Sequence, residues 1–168
     1  MPELPEVTTT VAGINLLATK KTIKNVWCDT PNLLRNISIK KLNEKLAWKD
    51  LLRASRHGKN IIIELSSDLR LRVHMKMTGH FIVGKREANR FIHFIVSFAD
   101  GTELALSDMR KFARIELYEK DNPPRGLTRL GPDPMDNSFT FPTFNERLKT
   151  KSFSKIKPAL LDQTTITG

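Results

Sequence analysis

Apolar side chains recur at helical spacing after Pro5, at Val7, Val11, Ile14 and the Leu16/Leu17 pair, and predict a helix over residues 5–18. Pro5 fits the first turn of that helix, where a missing N–H costs nothing. The period then shortens towards two. VWC (26–28), ISIKKL (37–42), NIIIEL (60–65) and LRLRVHM (69–75) read as short strands, with SSD (66–68) joining the last two. Asp100-Gly101 is a hairpin signal between RFIHFIVSF and TELALS, and FARIELY (112–118) is a further strand. At DNPPRGLTRLGPDPMDN (121–137) the chain becomes rich in Pro, Gly and Asp, which marks a boundary. FPTFNERLKT and FSKIKPALLDQ then read as two short helices. The expected fold is mainly β with flanking helices: a β-sandwich led by an N-terminal helix over 1–132, then a linker and an incomplete helical module over 133–168. Two short helices offer little surface to pack on, and the closing TTITG does not read as a natural stop.

Charge sharpens this picture. Among 168 residues, 28 are Lys or Arg against 18 acids, a net charge of +10. Such an excess points to a polyanionic partner, nucleic acid before membrane, although a basic surface can also serve solubility alone. No apolar run approaches the roughly 20 residues that span a bilayer. The N-terminus carries acids and prolines where a signal peptide needs basic and then apolar residues, so an intracellular protein is expected. A single cysteine, Cys28, excludes an internal disulfide and any multi-cysteine zinc site within the chain.

Two stretches have chemical potential of their own. In LRLRVHMK, Leu69, Leu71, Val73 and Met75 alternate with Arg70, Arg72, His74 and Lys76, which sends four basic side chains to one strand face. A solvated face is the plain reading, and the one adopted for Arg70. At the N-terminus, removal of Met1 leaves Pro2 with a free secondary amine. An α-amino group titrates near about 7.7–8.0, against about 10.4 for lysine, so far more of it is unprotonated at neutral pH. Such an amine attacks an aldehyde-like carbon to give an iminium, and the adjacent Glu3 can move the protons. The plain reading of PELPE is a capped helix start with acids at the positive dipole end.

MPELPEV, RHGKNIIIEL, HMKMTGHF, SDMRKF and RLGPDP, in that order along the whole chain, resemble the formamidopyrimidine-DNA glycosylase family (Fpg or MutM). These are bifunctional base-excision enzymes with the Nei endonucleases as a sister branch. PELPE, rather than PEGPE, is similar to the Fpg branch, which implies oxidised purines such as 8-oxoguanine and formamidopyrimidines as substrates. The resemblance implies that Pro2 attacks C1′ of the damaged nucleotide, with β- and δ-elimination to follow. It implies that Glu3 assists ring opening and proton transfer, that Glu6 supports the site and that Lys59 meets the lesion-flanking phosphates. Met77, Arg110 and Phe112 would fill the gap left by the extruded base: an apolar wedge and a ring replace lost stacking, and arginine pairs with the orphaned base. On composition alone a Met and a Phe in strand-rich sequence are core, and Lys59 is an ordinary basic residue. His74 matches a position near the DNA backbone, and Lys157 one at the lesion-binding side. Lys111 and Ala113 stand where the family more often has arginine and glycine.

In the family, a DQ stretch leads into a GNIY motif within a helix-two-turn-helix module, and a four-cysteine zinc finger follows. The resemblance therefore implies a chain that stops, at Gly168, before the phosphate-binding asparagine, the zinc-finger arginine and the loop that closes over 8-oxoguanine. It implies damaged double-stranded DNA as partner, no cofactor within this chain, structural zinc only beyond it, and a monomer in the bacterial cytoplasm associated with the nucleoid. Other readings are a non-catalytic DNA-binding remnant, a Nei-like glycosylase for oxidised pyrimidines, and a bare folding fragment. Retention of Met1 would turn the Pro2 nitrogen into an amide and remove its nucleophilicity.

Overall fold

The computed structural model describes residues 2–84 and 89–168, so the state of Met1 lies outside the described residues. Helix α1 spans Leu4–Ala18. It starts because the Glu6 carboxylate reaches back to accept the Glu3 N–H at 3.0 Å, closing an otherwise orphaned donor. The buried stripe is Val7, Ile14 and Ala18, with Val11 packed beside it. Leu16, 82% exposed, lies off that stripe.

Eight strands follow: β1 (Ile23–Cys28), β2 (Leu51–His57), β3 (Asn60–Leu65), β4 (Leu69–His74), β5 (His80–Gly84), β6 (Ile92–Phe98), β7 (Glu103–Ser107) and β8 (Arg114–Glu119). They form two antiparallel four-stranded sheets, ordered β1-β6-β7-β5 and β2-β3-β4-β8. Alternate residues of both sheets meet in one core. Phe94, Val96, Phe98, Leu104 and Leu106 from the first face Ile61, Ile63, Leu71, Val73 and Ile115 from the second. Each such side chain, fully buried, contributes about 1.5–3 kcal/mol.

The ISIKKL segment is not a strand. It enters helix α2 (Ile39–Leu46), whose N-cap Ser38 accepts from the Lys41 N–H and whose Leu42 and Leu46 are buried one turn apart. Ile37 and Ile39 imitate strand alternation, but the cap and the i,i+4 leucines override it.

Beyond β8 come α3 (Arg125–Thr128), α4 (Phe141–Lys149) and α5 (Ile156–Leu161). These short helices find more packing than their lengths promise, because residues 163–168 double back onto the sandwich. The Gly131 N–H donates to the Gln163 carbonyl at 2.8 Å, and the Thr167 N–H to the Pro132 carbonyl at 3.1 Å. Asp133 pairs with Arg56 of β2 at 2.6 Å. Thr165 and Thr167 are buried, as is Ala159 of α5. Gly131 is required by proximity: a β-carbon there would lie 2.6 Å from the Thr165 carbonyl oxygen.

Strand register decides which loops share an end. Asn60, His74 and Arg114 lie side by side across β3, β4 and β8. His80 pairs with Ser107 across β5 and β7. The turn 58–59 and the loops 75–79 and 108–113 therefore emerge together at one end of the sandwich.

Candidate active site and nucleic-acid interface

The N-terminus is delivered to this end by α1. Lys59 sits in the β2–β3 turn, a tight reversal that Gly58 permits with φ of +58°. The Lys59 ammonium lies 2.5 Å from a Glu3 carboxylate oxygen, its side chain only 13% exposed against 48% for Glu3. The Glu3 carboxylate offsets the charge of the largely buried Lys59 ammonium. The pair's effect is also positional, since it holds the first residues of the chain over the turn, with Pro2 half-buried beside it. The crowding of prolines and acids at the N-terminus thus serves one purpose: Glu6 fastens the backbone of Glu3, and Lys59 fastens its side chain.

Next to this pair is a cavity of about 420 Å³ whose lining includes Lys59, Asn60, Arg72, His74, Lys76 and Gln163. The alternating face of β4 does supply it, but not with free cations throughout. Arg72 donates through Nε to Asn60 Oδ1 at 2.8 Å and through Nη1 to Glu116 Oε2 at 2.6 Å. Arg70 lies 3.6 Å from Glu64 rather than standing in solvent. His74 also lines the cavity. Its Nδ1 accepts the Lys76 N–H at 3.1 Å, so the neutral ring keeps its proton on Nε2. Burial first, then Lys76, Arg72, Lys59 and Arg114, push its pKa down to about 4. Burial and the neighbouring arginines also lower that of Lys76.

This has a measurable consequence. A histidine whose folded pKa lies below its unfolded value, about 6.5, contributes fully above pH 6.5, and that contribution is lost as pH falls towards about 4. We expect unfolding free energies to fall on the order of 2 kcal/mol more over that window in the unsubstituted protein than in His74→Gln. Equal acid sensitivity of the two in urea titrations would show that His74 is not buried neutral.

Met77, Arg110 and Phe112 all stand outside the core. Met77 is 44% and Phe112 43% exposed, and the Arg110 guanidinium lies 4.6 Å from the Phe112 ring centroid. Met77→Ala and Phe112→Ala are accordingly expected to shift the melting temperature by less than about 2 °C. A collapse in either variant would mark that residue as core.

The residue that sequence reading missed is Asp108. It is fully buried and accepts from Thr78 Oγ1, the Arg110 N–H and the Ala113 N–H. Its signal was present, a carboxylate directly after the apolar run LALS, but a motif reader passes from there to the arginine. Ala113 is fully buried in the same loop, so the site accommodates its methyl group. Lys157 lies exposed on α5. That helix reaches the cavity through Leu161, whereas Lys157 is not among the residues that line it.

Residues 1–115 match the family described as Formamidopyrimidine-DNA glycosylase N-terminal domain. The formamidopyrimidine-DNA glycosylases of Ligilactobacillus salivarius and Enterococcus faecalis are each 36% identical to the whole of this chain, which spans 62% and 61% of their lengths. That of Pelotomaculum thermopropionicum is 34% identical, with 62% of its length spanned. A crystal structure of a complex between the LlFpg protein, a THF-DNA and an inhibitor superposes with a TM-score of 0.89 at 33% identity, covering 99% of this chain and 63% of that one. A complex between the Lactococcus lactis Fpg and an abasic site containing DNA gives 0.86 at 30% identity, covering 99% and 62%. Among the described residues no helix is long and apolar enough to cross a membrane. With its family match spanning α1, strands β1 to β7 and the start of β8, the chain belongs to the formamidopyrimidine-DNA glycosylase family.

Proposed function

We propose that this chain forms the catalytic part of a DNA glycosylase and AP lyase acting on oxidised purines in double-stranded DNA. The observation that carries the reading is the placement of Pro2 and Glu3 against Lys59, at the same end of the sandwich as the exposed Met77, Arg110 and Phe112. A base flipped from the duplex leaves a void, and here a potential nucleophile and potential void fillers converge. The abasic-site DNA held by the Lactococcus lactis relative supports the same partner.

With Met1 removed, the Pro2 nitrogen attacks C1′ as the glycosidic bond breaks, and the base leaves with a proton. Opening of the sugar ring gives an iminium on Pro2. This cation draws electrons as C2′ loses its proton and the 3′ phosphate departs, and a second elimination releases the 5′ phosphate. Glu3, adjacent to the nitrogen, moves protons. Glu6 holds the Glu3 backbone, while Lys59 orients the Glu3 carboxylate and faces the phosphates. The basic cavity around neutral His74 borders the DNA backbone, and Lys157 extends that surface.

On this reading residues 1–132 form the catalytic sandwich, and 133–168 a linker with the first helices of a DNA-binding module. One cysteine does not make a four-cysteine site, and no described group of three or more His, Cys, Asp or Glu fits a metal. We place any structural zinc outside these residues and route no step through it. A monomer working at the bacterial nucleoid fits the reading. Borohydride reduction on abasic-site DNA tests it: a covalent protein–DNA adduct is expected, and none would form on a non-catalytic DNA-binding remnant.

A further inference from the structure

The loops that present Met77 and Phe112 share an unusual construction. They belong to different connections, β4 to β5 and β7 to β8. In each, a lysine in the left-handed region directly precedes the exposed apolar residue: Lys76 at φ +57° before Met77, and Lys111 at φ +55° before Phe112. A non-glycine residue held there persists only where its surroundings over-determine it. Between the loops lies Asp108, 0% exposed. Its Oδ2 accepts the Ala113 N–H at 2.8 Å, while Oδ1 accepts Thr78 Oγ1–H at 2.5 Å and the Arg110 N–H at 3.3 Å. The Arg110 N–H also lies 3.2 Å from Thr78 Oγ1. Asp108 is itself fixed, its N–H donating to the Phe91 carbonyl at 2.9 Å. The carboxylate thus closes its own loop and reaches the other through Thr78, whose hydroxyl makes the link between them among the described residues.

We infer that Asp108 and Thr78 are positioning residues that join the two loops into one void-filling unit, so that Met77, Arg110 and Phe112 enter DNA together. The inference rests on the void-filling role proposed above for those three side chains. Neither Asp108 nor Thr78 needs to touch DNA. A buried carboxylate is costly unless every oxygen is bonded, and here that cost is met by bonds divided between two loops.

Thr78→Val keeps the shape and removes the link, leaving the Asp108 bond to Ala113 intact. In the full chain, amide exchange at Arg110 and Lys111 is expected to accelerate about tenfold, with β8 amides unchanged. The ratio of borohydride trapping on duplex to single-stranded abasic DNA is expected to fall about tenfold, because only the duplex has a void to fill. Thr78→Ser restores both, and Asp108→Asn, which presents an amide where one carboxylate oxygen accepted, repeats the loss. Exchange across 109–113 that stays unchanged in Thr78→Val overturns the inference, as does an undiminished trapping ratio. Absence of trapping by the unsubstituted protein counts against the proposed chemistry instead, and the exchange measurement still decides whether the loops are joined.

Discussion

Retention of Met1 lowers borohydride trapping on abasic-site DNA by at least about a hundredfold, because the Pro2 nitrogen becomes an amide whose lone pair is delocalised. Ordinary lysines do not compensate: at neutral pH only about one part in 2,500 of an unperturbed lysine is unprotonated. Lys59 is already engaged with Glu3, next to Pro2 in the chain. Pro2→Gly, correctly processed, is expected to lose less, on the order of tenfold, since a primary amine still condenses with the sugar aldehyde. The difference is electronic. A secondary amine can give only a cationic iminium, a permanent electron sink, whereas a primary amine gives an imine that discharges by losing a proton. Glycine also frees the backbone just ahead of the N-cap Glu3 from the constraint that proline imposes. Mass spectrometry of the N-terminus, run beside the trapping gel, checks both variants. Equal trapping by the Met1-retaining and processed forms would remove Pro2 from the chemistry.

Gly131→Ala is expected to destabilise the docked C-terminal segment strongly. The new carbon would sit 2.6 Å from the Thr165 carbonyl oxygen and 2.8 Å from that of Thr164, both of them backbone atoms that cannot rotate aside. Overpacking of this kind costs about 1–3 kcal/mol. The upper end is expected here, because the displaced segment also loses the bonds from Gly131 to Gln163 and from Thr167 to Pro132. Gly13→Ala is the natural control: nothing lies within 4 Å of the added carbon, so it should be neutral or stabilise α1 by about 0.5–1 kcal/mol. Urea denaturation measures both, and limited proteolysis should show faster loss of residues 162–168 in Gly131→Ala alone. A Gly131→Ala protein as stable as its parent would show that the tail is not docked.

Elements with one uninterrupted period were legible in the sequence. The helix expected over 5–18 is α1 within a residue, and the Asp100-Gly101 hairpin and the SSD turn join the strands they were expected to join. What failed did so for local reasons. In LLRASRH the pairing register of β2 slips between Leu51 and Arg53, so its alternation is broken and the strand went unread. β5 escaped because HFIVG is short and follows closely on the turn at 76–78. The C-terminal packing was invisible because it depends on backbone approach at Gly131 and on buried threonines, neither of which carries a period. Within the site, Met77 and Phe112 are exposed, not the core residues that composition alone implied. Asp108 stands out in the sequence only as a carboxylate after an apolar run, and its bonds to the Thr78 hydroxyl and to loop N–H groups carry no period.

Because every loop of interest leaves the sandwich at one end, the opposite end is open to construction. The turns at 66–68 and 99–102 lie there, and Gly101 has nothing within 4 Å of its missing side chain. A fluorescent domain spliced between Asp100 and Gly101 would lengthen a hairpin whose strands are already paired, at a modest entropic cost. It would hang the whole breadth of the sheet away from Pro2. Such a chimera could be followed along single DNA molecules while its working face stayed untouched.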